Sequence, residues 1–174
     1  MISIIYLSLI IDDFNMEIER KFLIKDLPDL KNINPIRYER HFLFIWNWIE
    51  FRIQSKWDIY ELERKEKISD LSRDWIKIRI SKDEFEVLKW ISNKILIRDW
   101  YNLSENVSIK IYRWDHEWLK RAEVEFKSEE EAKNFIKPDW MWEEITDSPL
   151  WKDSKLIQLD KNGFKEQIDK YHKS

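Results

Sequence analysis

One glycine, Gly163, serves a chain of 174 residues. Average usage is about 7%, or roughly twelve glycines at this length. The shortage leaves no Asp-Gly and a single Asn-Gly, Asn162-Gly163, of the dipeptides that supply positive φ at tight hairpins. Cysteine is absent, which excludes disulfides, thiolate metal sites and a cysteine nucleophile, and is compatible with the cytoplasmic setting expected here. The histidines, His41, His116 and His172, are too few and too scattered for an all-histidine metal centre, and suit surface or packing roles. A basic excess is missing: Lys and Arg number 31 against 34 Asp and Glu, a net charge of -3, so no nucleic-acid partner is expected. Long apolar runs are missing too. That in MISIIYLSLIIDDFN, residues 1–15, is about ten residues and too short to span a bilayer, so no membrane partner is expected. It lacks the basic start and cleavage site of a signal peptide. Residues 1–15 are expected to be a non-native or disordered extension from a start codon chosen too far upstream, and 16–174 a single domain. A short added strand or anchor is the alternative.

What the chain has in excess is tryptophan: 11 residues, which with 1 glycine make 1 + 11 = 12. Their placement is that of glycine. Trp48 follows Asn47, Trp75 follows Asp74 and Trp100 follows Asp99, while Trp57 and Trp114 each precede an Asp. In RWDHEWLKRAEVEF, Arg113 to Phe126, Trp114 and Trp118 occupy the turn that leads into a strand. The Ile-, Lys- and Asn-rich composition suggests an AT-rich gene, yet the standard tryptophan codon is TGG. One reading is that UGA encodes glycine in this gene and is written here as tryptophan, at positions 46, 48, 57, 75, 90, 100, 114, 118, 142 and 151. The other is a tryptophan-rich protein whose aromatics form core and surface patches.

The pattern of elements is strand-rich. Glu17–Lys25, Arg40–Phe44, Ile49–Gln54 and Ile59–Lys65 read as strands, with hairpin turns near Asn47 and Lys56. A helix is expected over Ser81–Lys89, where Ser81 caps and Glu84 completes a capping box. Strands follow at Lys94–Leu103, Val107–Tyr112 and Lys120–Lys127. Ser128–Ile136 reads as a second helix with a capping box through Glu131, Glu143–Thr146 as a short strand, and Asp160–His172 as a terminal amphipathic helix. Tyr38 and the other aromatics read as core. No linker, low-complexity segment or repeat interrupts the pattern. The fold class is α+β with a large antiparallel sheet.

In a strand, residues i, i+2 and i+4 share a face. Glu17, Glu19 and Lys21 therefore oppose Ile18, Phe22 and Ile24; Glu123 and Glu125 oppose Ala122, Val124 and Phe126. Arg52 lies opposite Phe51 and Ile53, and Lys65 shares the face of Glu61 and Glu63. A sheet with one wet face explains any one of these strands. Two separate Glu-x-Glu pairs ask for more, because neighbouring like charges repel unless neutralised. A divalent cation with oxygen ligands would neutralise them, and Lys and Arg among the carboxylates would suit a polyphosphate bridging that metal.

EIERKFLI, Glu17 to Ile24, resembles the Glu-x-Glu-x-Lys signature of the CYTH domain, the triphosphate tunnel metalloenzymes. RAEVEF resembles the later acidic strand of that family. PDWMWEEIT, Pro138 to Thr146, resembles its Pro-x-Trp-x-Gly-x-Glu-Val-Thr segment if Trp142 stands for glycine and Trp140 is a true tryptophan. WLKRAEVEF fits its Gly-Leu-x-x-Ala-Glu-Val-Glu with glycine at 118. The resemblance spans roughly Met16 to Leu156. It implies an antiparallel β-tunnel, a barrel-like sheet with a few flanking helices, that binds a triphosphate-containing small molecule and hydrolyses its terminal phosphate with Mg²⁺ or Mn²⁺. By resemblance, Glu17, Glu19, Glu123 and Glu125 hold metal; Lys21, Arg52, Lys65, Arg73 and Arg98 bind phosphate; Glu19, Glu125 and Lys65 are catalytic. A monomer or a homodimer is expected.

The departures matter equally. SIKIY, Ser108 to Tyr112, lies where the family has Glu-x-Asp, so Ser108 and Lys110 replace two acids. The second arginine of an Arg-x-Arg pair is Gln54, and a Lys-x-Arg-Tyr pattern appears as Arg98-Asp99-Trp100-Tyr101. Trp75 and Lys77 replace a carboxylate pair before the first helix. Three functions stay open: a metal-dependent triphosphatase, a catalytically impaired polyphosphate- or nucleotide-binding module, and a class IV-type adenylate cyclase, for which nothing in the chain selects adenine.

Overall fold

The computed structural model describes residues 18–67 and 73–172. The expected extension at residues 1–15, and Glu17 with it, lie outside the described residues. The elements run β1 (Ile18–Ile24), β2 (Ile36–Trp46), β3 (Ile49–Lys56), β4 (Ile59–Lys67), β5 (Arg73–Ile80), α1 (Lys82–Lys89), β6 (Ile95–Asn102), β7 (Val107–Tyr112), β8 (Lys120–Phe126), α2 (Glu129–Asn134), β9 (Met141–Glu144), α3 (Asp153–Leu156) and α4 (Lys161–His172). A 3₁₀ turn at Trp114–His116 precedes β8.

Among the described residues nine strands make one sheet in the order β5-β4-β3-β2-β6-β7-β8-β1-β9, and every pairing there is antiparallel. Short turns join β2 to β3 and β3 to β4, as expected near Asn47 and Lys56. The sheet curls without closing: β5 and β9 stand at its two ends, yet side chains of β4 and β1, near those ends, line one cavity. The α+β antiparallel sheet expected from the sequence is what forms.

Alternation divides the sheet into two faces. On the convex face, Phe22, Ile24, Ile109, Ala122, Val124, Phe126 and Met141 form a buried cluster with Ala132 of α2. On the concave face, Leu23, Phe42, Leu96, Tyr112 and Leu119 pack with Leu156 of α3 and with Phe164 and Ile168 of α4. These helices close one end of the concave side with apolar groups. Fully burying each such side chain contributes about 1.5–3 kcal/mol. The polar residues of the same face, one pleat further along, border the cavity.

Three local expectations are corrected. Arg73–Ile80 forms a strand that the reading above omits, although Ile76, Ile78 and Ile80 alternate with Trp75, Lys77 and Arg79. The ninth strand is Met141–Glu144 rather than Glu143–Thr146, because Ile24 pairs with Met141 and Phe22 with Glu144. At α2, Ser128 caps as expected, but the Glu131 carboxylate accepts from the backbone N–H of Lys127 and not from that of the cap. The box at α1 is complete: Glu84 N–H donates to Ser81 Oγ at 3.2 Å and Ser81 N–H to Glu84 Oε2 at 2.7 Å.

Among the described residues, four other than glycine have positive φ: Asn47 (44°), Trp48 (71°), Trp57 (52°) and Trp114 (56°). Three of these are tryptophans, all exposed, at turns where left-handed backbone favours glycine. A side chain in this region costs about 1–2 kcal/mol. Trp48→Gly, Trp57→Gly and Trp114→Gly should therefore each stabilise the protein by about 1 kcal/mol. Trp90→Gly, at a right-handed C-cap with φ -66°, should not stabilise it. Urea unfolding of the four variants decides; equal effects at all four sites would contradict the strain.

Candidate functional site

A cavity of about 650 Å³ opens on the concave face. Polar residues two apart line it from β1 (Glu19 and Lys21), β3 (Glu50 and Arg52) and β8 (Arg121, Glu123 and Glu125), joined by Lys65 of β4, Arg98 of β6 and Lys110 of β7. Arg40 of β2 and Asp153 of α3 complete the wall. All the described candidates from the sequence thus meet at one place: Glu19, Lys21, Arg52, Lys65, Arg98, Glu123 and Glu125. Glu17 lies outside the described residues. For Arg73 the backbone is placed in β5 but the side chain is among those not described.

Two carboxylates organise the buried charge. Asp153, 5% exposed, faces Arg40 Nη1 at 2.5 Å, Arg98 Nη1 at 3.1 Å and Arg121 Nη2 at 3.2 Å, and accepts from Tyr112 Oη at 2.7 Å. Burial alone would raise its pKa, but Arg98, Arg40 and Arg121 hold it well below the ordinary aspartate range. Glu123, equally buried, touches Lys110 Nζ and lies 2.8 Å from Arg121 Nη2 and 3.6 Å from Lys21 Nζ. Burial opposes its ionisation, and Lys110, Arg121 and Lys21 outweigh burial.

Further round the wall, Arg52 bridges Glu50 and Glu63, with Nη2 at 2.5 Å from Glu63 Oε2. Burial would lift the Glu63 pKa, but Arg52, Arg40 and Lys65 bring it down to about 2. Cations crowd one another in this space. Arg40 is pulled down to about 10 by burial and by Arg52 and Arg98. Lys65 is pulled down to about 8 by burial and Arg52, against Glu63. Burial brings Lys110 to about 7 against the contact with Glu123. Nε of Arg98 and Nε of Arg121 are buried without an acceptor among the described residues. Such a wall has capacity for a further anion, because unpartnered buried donors and mutually repelling cations are both relieved by one.

Glu19 and Glu125 are directly opposed across the β1–β8 ladder, and Lys21 Nζ lies 2.9 Å from Glu19. Among the described residues no group of three or more His, Asp or Glu is gathered closely enough to hold a metal with protein ligands alone. A pair of opposed carboxylates does fit a Mg²⁺-type ion, which keeps several waters and takes further ligands from substrate phosphates.

Sequence reasoning missed Arg40, Arg121 and Asp153. Arg121 was legible, since it stands two before Glu123 and four before Glu125 on one face. Arg40 gave a weaker signal, because β2 carries a register shift between Phe42 and Phe44. Asp153 sits on a four-residue helix with no periodicity to read. Tyr38, expected in the core, is half-buried, with the guanidinium carbons of Arg40 and Arg98 each 5.4 Å from its ring centre. Removing Asp153 leaves three buried guanidiniums without their shared counter-ion. Asp153→Ala should therefore destabilise the protein by about 3–5 kcal/mol. The loss should shrink when a multivalent anion is added, measured as recovery of the melting temperature; no recovery would mean that Asp153 acts by packing alone.

No family model matches the chain. An inorganic triphosphatase of Nitrosomonas europaea is 29% identical over 147 residues, 80% of this chain and 95% of that protein. The crystal structure of the inorganic triphosphatase NE1496 aligns with a TM-score of 0.68 at 26% identity, covering 83% of this chain and 95% of that one. The curled sheet and its flanking helices are a fold of the CYTH type.

Proposed function

We propose that the protein hydrolyses the terminal phosphate of an inorganic or organic triphosphate inside the curled sheet, with Mg²⁺ or Mn²⁺ as cofactor. The observation that carries this reading is the meeting of cations and carboxylates from β1, β2, β3, β4, β6, β7 and β8 on one cavity. Likeness to a protein described as an inorganic triphosphatase supports the same substrate class. The domain is taken to run from residue 16 to 174, as a monomer or homodimer in the cytoplasm.

Within this reading each side chain has a physical task. Arg40, Arg52, Arg98 and Arg121 grip phosphoryl oxygens with planar forks suited to such groups. Lys21 stays close to Glu19 and Glu123 and keeps the acidic strands from repelling one another. Glu19 and Glu125 would hold the cation, with Glu17 as a further candidate ligand, while Glu123, the fourth acid the resemblance names, is taken up by Lys110. When bound, the ion supplies positive charge to the transferring group and a water of lowered pKa. Lys65, at about 8, is largely protonated at neutral pH and donates from Nζ to a phosphate oxygen as charge builds there. Arg73 is proposed as a further phosphate ligand on β5.

A second reading, capture of a polyphosphate without turnover, is favoured by one observation: Lys110 contacts Glu123, where an acidic strand would supply another metal ligand. Phosphate release from triphosphate, ATP and thiamine triphosphate, with Mg²⁺ and with Mn²⁺, separates the two. Release is expected, and Glu19→Gln and Glu125→Gln should each nearly abolish it while leaving the melting temperature close to that of the parent. Lys65→Ala should instead weaken substrate binding by about 1.5–3 kcal/mol. Tight binding with no release from any substrate would establish the capture module.

We infer also that UGA encodes glycine in this gene. The left-handed backbone at Trp48, Trp57 and Trp114 supports that reading. The DNA should carry TGA at the ten positions named above and TGG at Trp140; TGG throughout would end the idea.

A further inference from the structure

The acid on β8 that is most enclosed has no acid beside it on β7. Across the β7–β8 ladder Ser108 faces Glu123 and Lys110 faces Arg121. Glu123 is 4% exposed and is surrounded by positive charge, with Lys110, Arg121 and Lys21 all in reach. Lys110 itself is 9% exposed and borders the cavity. A divalent cation at Glu123 would compete with this ammonium for the same oxygens, and the two positive charges would repel at contact distance. Glu19 and Glu125 differ. They oppose each other across the β1–β8 ladder, with Glu19 half-buried and Glu125 exposed.

We propose that Lys110 is a built-in cation, held by Glu123 in the place of a divalent ion, so that a linear polyphosphate binds in the cavity without metal. The proposal rests on the triphosphate reading above and deepens it: metal at Glu19 and Glu125 serves turnover, while binding uses charges fixed in the protein. Lys110, Arg98 and Arg121 then form one positive wall that needs no ion to be complete. An ammonium is a compact point charge with three donors, so contact with Glu123 leaves it capacity for a phosphate oxygen as well.

Calorimetric titration of inorganic triphosphate into the whole protein, once in EDTA and once in Mg²⁺, tests this directly. The parent protein should bind in both, with affinities within about tenfold of each other, less than the loss of one charged hydrogen bond would bring. Lys110→Met should weaken binding in EDTA by about 10- to 100-fold, and Lys110→Arg, which keeps the charge, should not. Melting temperatures identify any variant that fails to fold; the comparison of EDTA with Mg²⁺ on the parent protein then decides by itself. Binding that requires Mg²⁺, or Lys110→Met binding as tightly as the parent in EDTA, overturns the built-in cation. Absence of binding under both conditions overturns the triphosphate reading itself, and this inference with it.

Discussion

The carboxylate of Asp153 is the contact on which the concave face depends. Three guanidiniums from β2, β6 and β8 and the hydroxyl of Tyr112 converge on it. Without that anion, strands curled this far would bring Arg40, Arg98 and Arg121 together unscreened in a medium much less polar than water. The network also ties α3 to the sheet through Asp153, and the segment leading into it through Arg121 Nη1, which donates to the carbonyls of Leu150 and Trp151, each at 2.9 Å. One acidic residue on a four-residue helix thus fixes both the position of the helix and the shape of the cavity floor.

The compensation is local, which explains how so polar an interior persists. Arg52 is satisfied by Glu50 and Glu63, Arg40 by Asp153 and Gln54, and Lys21 by Glu19 and Glu123. Buried pairs of this kind add little net stability compared with apolar packing, so the fold must be held elsewhere. It is held by the two apolar clusters, one under α2 on the convex face and one under α3 and α4 on the concave face. The polar wall between is free to serve a ligand. Burial first, and neighbouring guanidiniums after it, lower the pKa values of Lys65 and Arg40.

The sequence made the alternation visible, and with it the faces of β1, β3, β4 and β8. Period two places Glu19 with Lys21, and Glu123 with Glu125, on one face of their strands; that these share one interior with Arg52 and Lys65 follows only with the family resemblance. Curling was not legible from alternation, since a flat sheet with one wet face has the same pattern. Asp153 was not legible at all, because its importance comes from three strands that are far from it in sequence. β5 was legible in its isoleucine spacing and was missed. The tryptophans at 48, 57 and 114 stand in turn dipeptides, and their backbone is left-handed, the conformation in which glycine is favoured.

On the proposed function, this wall of fixed charge takes a compact, linear polyanion. Thermal unfolding across a series of phosphate, pyrophosphate and triphosphate at matched ionic strength decides this. A melting temperature that climbs along the series and is highest with triphosphate is the predicted result. A shift set by ionic strength alone, the same for all three anions, would contradict it.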